Sequence, residues 1–260
     1  MTREPVRLRG QRGGLPWPLG LLLFVLLLFS AIIALLLFTP AAAIGMLLDR
    51  SGQDARLLAP AGRVHSGSAQ LLITQNDLGR LRWALDGPTL MRGRLGYRLE
   101  LEAPGHALQA RIRLGLRSVT IDGIEGHLDE AGLRALLAPY DILPSGHLTL
   151  SSGRFELTGD RLTAVHGDAH WTGGFVRYVL ADQGWTVDFP PLDAALRLEA
   201  DEPLLEVFDP EGRELLDARL DANGWAHLRI RYRFIAMAGF PWPDPPEPDT
   251  VLIELSEQVF

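Results

Sequence analysis

Apolar and polar residues alternate with a period of two along much of the chain after residue 63. Leu95, Tyr97 and Leu99 begin such a run, with polar residues or glycine between them, and the pattern returns over 108–116. Because successive side chains of a strand point to opposite faces, this alternation predicts half-buried antiparallel strands. The intervening Pro104-Gly105 can supply the fixed φ and then the positive φ of a type II turn, which predicts a hairpin.

The same pattern predicts an all-β fold, an antiparallel curved sheet with an open groove. Further strands are expected at 70–74, 78–85, 118–123, 146–151, 154–158, 164–171, 175–181, 192–200, 204–209, 214–221, 225–234 and 250–255. Five prolines within 241–248 exclude a central strand or a helix there, so that segment is predicted to be a stiff extended loop.

One segment, 128–140, has helical spacing instead. Leu133, Leu136 and Leu137 fall on one side of a helix, Asp129 is a plausible N-cap, and Pro139 ends the segment. A helix this short is stable only when packed, so we expect it to cover one end or edge of the sheet.

Two short segments resemble each other at an offset of 88 residues. Gly79 to Trp83 and Gly167 to Trp171 both read Gly, any residue, apolar, any residue, Trp. The spacing predicts that Trp83 and Trp171 face inward at equivalent places of two similar β sections, although two copies are few enough to arise by chance.

An uncharged apolar run at 19–38 is long enough to cross a membrane. Twenty residues make a helix of about 30 Å, which matches the bilayer core. Four arginines and one glutamate precede it, so residues 1–18 are predicted to stay in the cytoplasm and the rest of the chain to be exported. The run extends to residue 48 without a charge, longer than a signal peptide requires, although the small residues Ala41 to Ala43 leave cleavage as the alternative.

Composition narrows the function classes further. The net charge is −7 and residues 1–18 contribute +3, so the exported part carries −10 and is a poor partner for nucleic acid. Cysteine is absent, which excludes disulfides, thiolate nucleophiles and cysteine metal sites. We interpret 49–63 as a linker and 64–260 as one periplasmic β-rich domain.

Two weak candidates for a site remain, and no catalytic serine, zinc or phosphate-loop motif accompanies them. His166, Asp168 and His170 share one face of a predicted strand, where two histidines could ligate a metal, or simply form a solvated face. Arg229, Arg231 and Arg233 form a stripe that suits a ligand or partner, but more often marks the wet face of a strand or a guarded edge. We assign no catalytic, cofactor-binding or metal-binding residue.

The order of these features resembles a known family, protein N of the type II secretion system. The resemblance lies in the membrane anchor with TPAAA, in SGSAQLLITQNDLGRLRWALDGPTLMRGRLGYRLEL, in LRALLAPY ahead of SGHLTLSSGRFEL, and in VHGDAHWTGGFVRY. The tail after Phe234 departs from it.

The resemblance implies a non-enzymatic, single-pass inner-membrane protein that supports export of folded proteins from the periplasm and assembles with other inner-membrane secretion proteins. It also implies a relation to open β-groove proteins that hold lipid. Two alternatives stay open: an anchored periplasmic carrier of lipid or lipopolysaccharide, and an anchored hydrolase.

Overall fold

The computed structural model describes residues 39–42, 55–73, 76–91, 94–138, 141–159, 161–180, 183–240 and 242–258. The predicted cytoplasmic tail 1–18, the membrane span 19–38 and residues 43–48 of its possible extension to residue 48 lie outside these residues. Among the residues that are described, no helix is both long enough and apolar enough to cross a membrane.

Strands dominate the described part of the chain, which confirms the all-β prediction. The strands are β1 (Ala55–Arg63), β2 (Ser66–Ile73), β3 (Asn76–Leu85), β4 (Leu95–Ala103), β5 (His106–Leu114), β6 (Ser118–Leu128), β7 (Ile142–Pro144), β8 (Leu148–Thr158), β9 (Arg161–Trp171), β10 (Gly174–Leu180), β11 (Gln183–Phe189), β12 (Leu192–Glu199), β13 (Glu202–Phe208), β14 (Glu214–Leu220), β15 (Trp225–Arg231) and β16 (Val251–Gln258). The helices within the described range 55–258 are α1 (Gly87–Met91), α2 (Glu130–Leu137) and α3 (Tyr232–Met237), so the expectation of one short helix in the β-rich domain was wrong.

Thirteen strands form one antiparallel sheet in the order β1-β2-β3-β4-β5-β6-β8-β9-β12-β13-β14-β15-β16. The remaining three form a small sheet in the order β11-β10-β7. Most neighbours in the large sheet are also neighbours in sequence, because short turns join antiparallel strands without a crossover.

The alternation places the apolar side chains of neighbouring strands on one face of the large sheet. Leu81 of β3 lies opposite Leu101 of β4, which in turn lies opposite Leu108 of β5. The other face carries charged side chains that pair across strands, such as Arg82 and Glu102 at 3.0 Å. The apolar face and the elements that cover it therefore determine where a binding site can form.

Helix α2 begins and packs as the sequence predicts. The side chain of Asp129 accepts hydrogen bonds from the backbone N–H of Ala131 and Gly132, at 2.9 and 3.1 Å. The helix lies against the β4–β5 turn, where Gly105 has φ +97° and a Cβ would meet the Gly132 nitrogen at 2.4 Å. Only glycine fits this turn, and the helix covers that end of the sheet.

A small core near the start of the sheet contains Ala41, Leu57, Ala69 and Trp83. Leu57 of this core lies on β1, which falls within 49–63. The prediction that the whole of 49–63 is a linker was therefore wrong from residue 55 onward. The alternation in β1 is hidden because the register shifts between Leu58 and Ala61, a bulge of the kind that an edge strand tolerates.

Other strands also differ from the predictions. β8 is one strand where two were expected, because a bulge with Ser152 at φ +59° interrupts its alternation. Strands β7 and β11 were not predicted, and β7 has only three residues. The strand expected at 225–234 ends at Arg231, and the chain continues as the helix α3. The pattern of apolar and polar residues in a segment of six residues is too short to tell a strand from a helix.

Both tryptophans of the repeat face the apolar side, as predicted. The indole N–H of Trp83 donates to the Arg63 carbonyl at 3.2 Å, and that of Trp171 donates to the Ser145 carbonyl at 3.0 Å. Trp83 is buried and Trp171 half-buried. Both lie in one continuous sheet, Trp83 on β3 and Trp171 on β9.

Candidate functional site

The predicted histidine cluster lies on the polar face of β9, where all three side chains are exposed. Nε2 of His166 is 3.5 Å from Oδ2 of Asp168, whereas Nδ1 of His170 is 2.7 Å from Oδ1 of Asp193 on β12. Within the described ranges, no group of three or more His, Asp or Glu side chains is placed to hold a metal ion. The cluster shares a face as predicted, but its histidines have different carboxylate partners.

The arginine stripe binds carboxylates from other segments. The pairs are Arg229 with Asp217 at 2.9 Å, Arg231 with Glu214 at 2.7 Å, and Arg233 with Asp249 at 2.6 Å. β16 continues the sheet beyond β15, and Arg233 lies on α3, so the interpretation as a guarded edge was wrong. The pair with Asp249 ties the segment after the proline block to the helix.

Three buried carboxylates of the described residues escaped the sequence analysis, Asp209, Asp217 and Glu206, which are 1%, 2% and 9% exposed. Burial raises the pKa of Asp209, whereas hydrogen bonds from the backbone N–H and the guanidinium of Arg213 lower it. The lowering effects together are larger, so the pKa of Asp209 lies below its usual value. The Asp209 carboxylate accepts from Arg213 N and Nε at 2.8 and 2.7 Å and closes the β13–β14 turn. The run Asp209-Pro210-Glu211-Gly212 is a recognisable turn signal.

An apolar cavity of about 620 Å³ lies against the C-terminal end of the large sheet. Its floor is the apolar face itself, through Trp171 of β9, Leu192 of β12 and Ile253 of β16. Its cover comes from the small sheet, from α3 and from the segment after α3, which contribute Val176, Tyr178, Phe234, Ile235, Phe240 and Trp242. The volume falls within the roughly 300–1,000 Å³ of typical ligand pockets.

Two of the three polar side-chain groups that line the cavity, those of Tyr178 and Trp171, are hydrogen-bonded to the protein. The Tyr178 hydroxyl donates to the Ala238 carbonyl at 3.2 Å, and the Trp171 indole is bonded to Ser145. Aromatic rings stack along the wall, with the Phe189 centroid 6.3 Å from Trp171 and 5.8 Å from Phe234. The surface that remains is hydrocarbon and aromatic.

Val179 lines the cavity and is 52% exposed, so the cavity opens to solvent on that side. Its apolar walls hold water poorly, because an ordered water needs two or more polar partners. The arrangement therefore suits an apolar guest.

A second apolar hollow of about 230 Å³ continues along the same face. It includes Ala169 and Ala194, which are paired across β9 and β12. Trp171 and Leu192, which line the cavity, are the next inward pair on those two strands. Cavity and hollow therefore lie side by side on the apolar face of the sheet, and we call the two together the trough.

Comparison with known proteins places this fold in a family. Residues 55–241 match the family model described as type II secretion system (T2SS), protein N. The chain belongs to the protein N family of the type II secretion system. No curated protein and no solved structure gives a match. Membership implies a role in type II secretion.

The protein N match begins at the first residue of β1 and ends just after Phe240. The expectation that the chain departs from the family after Phe234 therefore placed that boundary too early, because the match includes the whole of α3. Most of the cavity lining lies inside the matched range, and Trp242 and Ile253 lie beyond it.

The sequence alone did not reveal the cavity. Its walls come from segments far apart in the chain, and two of the strands concerned, β7 and β11, were not predicted. One signal was available: the aromatic residues Phe240 and Trp242 flank the first proline of the block, where a solvated loop has no need of them.

Proposed function

We propose that this chain is a membrane-anchored, non-enzymatic component of the type II secretion system that supports export of folded proteins from the periplasm. The family match over residues 55–241 carries the proposal. The apolar run 19–38, with four arginines and one glutamate before it, supports an inner-membrane anchor with the β-rich part outside.

The ion pairs support action by binding rather than by catalysis. On the polar face, arginines and carboxylates neutralise each other in separate pairs, among them Arg82 with Glu102 and Arg113 with Asp122. A hydrolase needs a nucleophile, a base and an orienting group that converge. The partners that this proposal requires are other inner-membrane proteins of the secretion system.

Topology is tested with a C-terminal alkaline phosphatase fusion, since that reporter is active only outside the cytoplasm. We expect activity from the full chain and none from a matched fusion that lacks residues 19–38. An expressed but inactive fusion of the full chain, or a mature chain that begins at Ile44, would contradict the anchored topology.

Catalysis is tested by changing His166, Asp168 and His170 together to alanine in a strain that lacks the chromosomal copy. We expect secretion close to the wild-type level, because no proton transfer or metal is required of these residues. The control is membrane level and protease resistance of the variant. A secretion defect in a folded variant, restored by zinc in partial mutants, would contradict the binding role.

A second candidate is transit of lipid or lipopolysaccharide, which the apolar cavity favours. The two functions separate in a deletion strain. The secretion role predicts that cargo is retained in the periplasm, whereas the transit role predicts altered envelope lipid with normal secretion.

A further inference from the structure

We propose that the trough formed by the cavity and the adjoining hollow binds one long aliphatic chain, with the polar end of the ligand in solvent. The inference rests on the geometry of the trough and goes beyond the secretion role, on which it does not depend.

The lining selects the chemical class of the ligand. Tyr178 and Trp171 donate their side-chain hydrogens to the Ala238 and Ser145 carbonyls, so among the lining side chains only the Trp242 indole can donate to a guest. A peptide or a sugar would bring N–H, C=O or hydroxyl groups that need partners when buried. A hydrocarbon chain has no such need, and every methylene that enters gains burial against the rings.

The shape selects a linear ligand. The floor continues from the inward pair Trp171 and Leu192 to the next pair, Ala169 and Ala194. The small side chains of these two alanines leave space above the sheet, which larger side chains would fill. A chain seated under α3 can therefore extend along the trough toward the middle of the sheet.

The entrance offers a place to disturb binding without disturbing the fold. Val179 of β10 lines the cavity, yet it is 52% exposed. Phe175 on the same strand is 61% exposed and does not line the cavity. A charged residue at either position keeps contact with water, so Val179→Asp and Phe175→Asp form a matched pair of variants.

The test uses the full chain transferred from detergent into an amphipathic polymer, so that no free detergent chain competes. A dansyl-labelled fatty acid reports binding by energy transfer from Trp171 and Trp242. We expect saturable binding, with Val179→Asp weakening it at least tenfold and Phe175→Asp leaving it within about twofold. Ala238→Trp, which fills the cavity, should abolish binding, and Ala84→Trp, which adds the same indole at an exposed strand position, should not.

Unlabelled competitors identify what is recognised. Affinity should rise from octanoate through dodecanoate to palmitate by up to about fourfold per methylene, and hexadecanol should compete as well as palmitate. Competition by phosphatidylethanolamine vesicles as well as palmitate assigns the chain to a membrane lipid, and competition by palmitate alone assigns it to a free fatty acid.

Three results would overturn the proposal. They are an absence of saturable binding to the wild-type chain, equal binding by the wild type and Val179→Asp, and displacement by a leucine-rich peptide but not by palmitate. The first and third results are measured on the wild-type chain, so they test the proposal even if a variant fails to fold. None of them bears on secretion, which is measured separately.

Discussion

Replacing Trp83 by alanine should destabilise the start of the sheet. The indole is 6% exposed and packs with Ala41, Leu57 and Ala69. It lies directly on the backbone of Gly67, where a Cβ would come within 2.6 Å of its Cζ2 atom. Such contact leaves little freedom for neighbouring atoms to fill the space that the ring would vacate.

The expected cost follows from these contacts. Removing a buried tryptophan costs about 3–5 kcal/mol, and the limited room to relax places Trp83→Ala toward the upper end. The change also removes the hydrogen bond from the indole N–H to the Arg63 carbonyl, which accounts for about 1 kcal/mol. Trp83→Phe keeps most of the ring but loses the N–H, so it should cost about 1–3 kcal/mol.

Urea unfolding of the purified full chain, followed by far-ultraviolet circular dichroism at fixed detergent concentration, measures these differences. Trp225→Ala is the matched control, because Trp225 is 40% exposed and its loss should cost no more than about 1 kcal/mol. A cost for Trp83→Ala no larger than that of Trp225→Ala would refute the assignment of Trp83 to the core.

Three smaller changes test other parts of the fold. Trp171→Ala should cost about 3 kcal/mol by urea unfolding, since the ring is half-buried against Phe189, and no loss would contradict its place in the cavity floor. Asp129→Ala should cost about 1 kcal/mol in the same assay by removing the cap of α2, whereas Asp129→Asn should restore most of it. The folded pKa of Asp209 lies below the unfolded value, so its contribution to stability is present above the unfolded pKa and is lost as pH falls through the folded pKa. The midpoint temperature of thermal unfolding should therefore fall less steeply from neutral to acidic pH for Asp209→Asn than for the wild type. Parallel plots of midpoint against pH would contradict this.

Local signals predicted the parts of the fold that local interactions determine. The Pro104-Gly105 turn was predictable because glycine alone enters the positive-φ region without strain. The Asp129 cap was predictable because a carboxylate at that position satisfies N–H groups that the helix leaves free. The alternation over β4 and β5 was predictable because each strand has one face on the core.

The parts that escaped prediction depend on distant contacts. β1 holds one buried leucine, Leu57, before its bulge, and it becomes a strand only because β2 lies beside it. α3 is helical because its apolar residues, Phe234 and Ile235, cover the cavity, a choice that the short segment cannot reveal by itself. The cavity lining runs from Ile142 to Ile253 along the chain, and no short window of sequence contains it.

The most direct test of the central claim is the distribution of a type II secretion cargo in a strain from which this chain has been deleted. We predict that folded cargo accumulates in the periplasm, that a plasmid copy of the wild-type chain restores its release into the medium, and that the His166, Asp168 and His170 triple alanine variant restores it equally. Release of cargo at the wild-type level from the deletion strain, with the chain shown to be absent, would contradict the account.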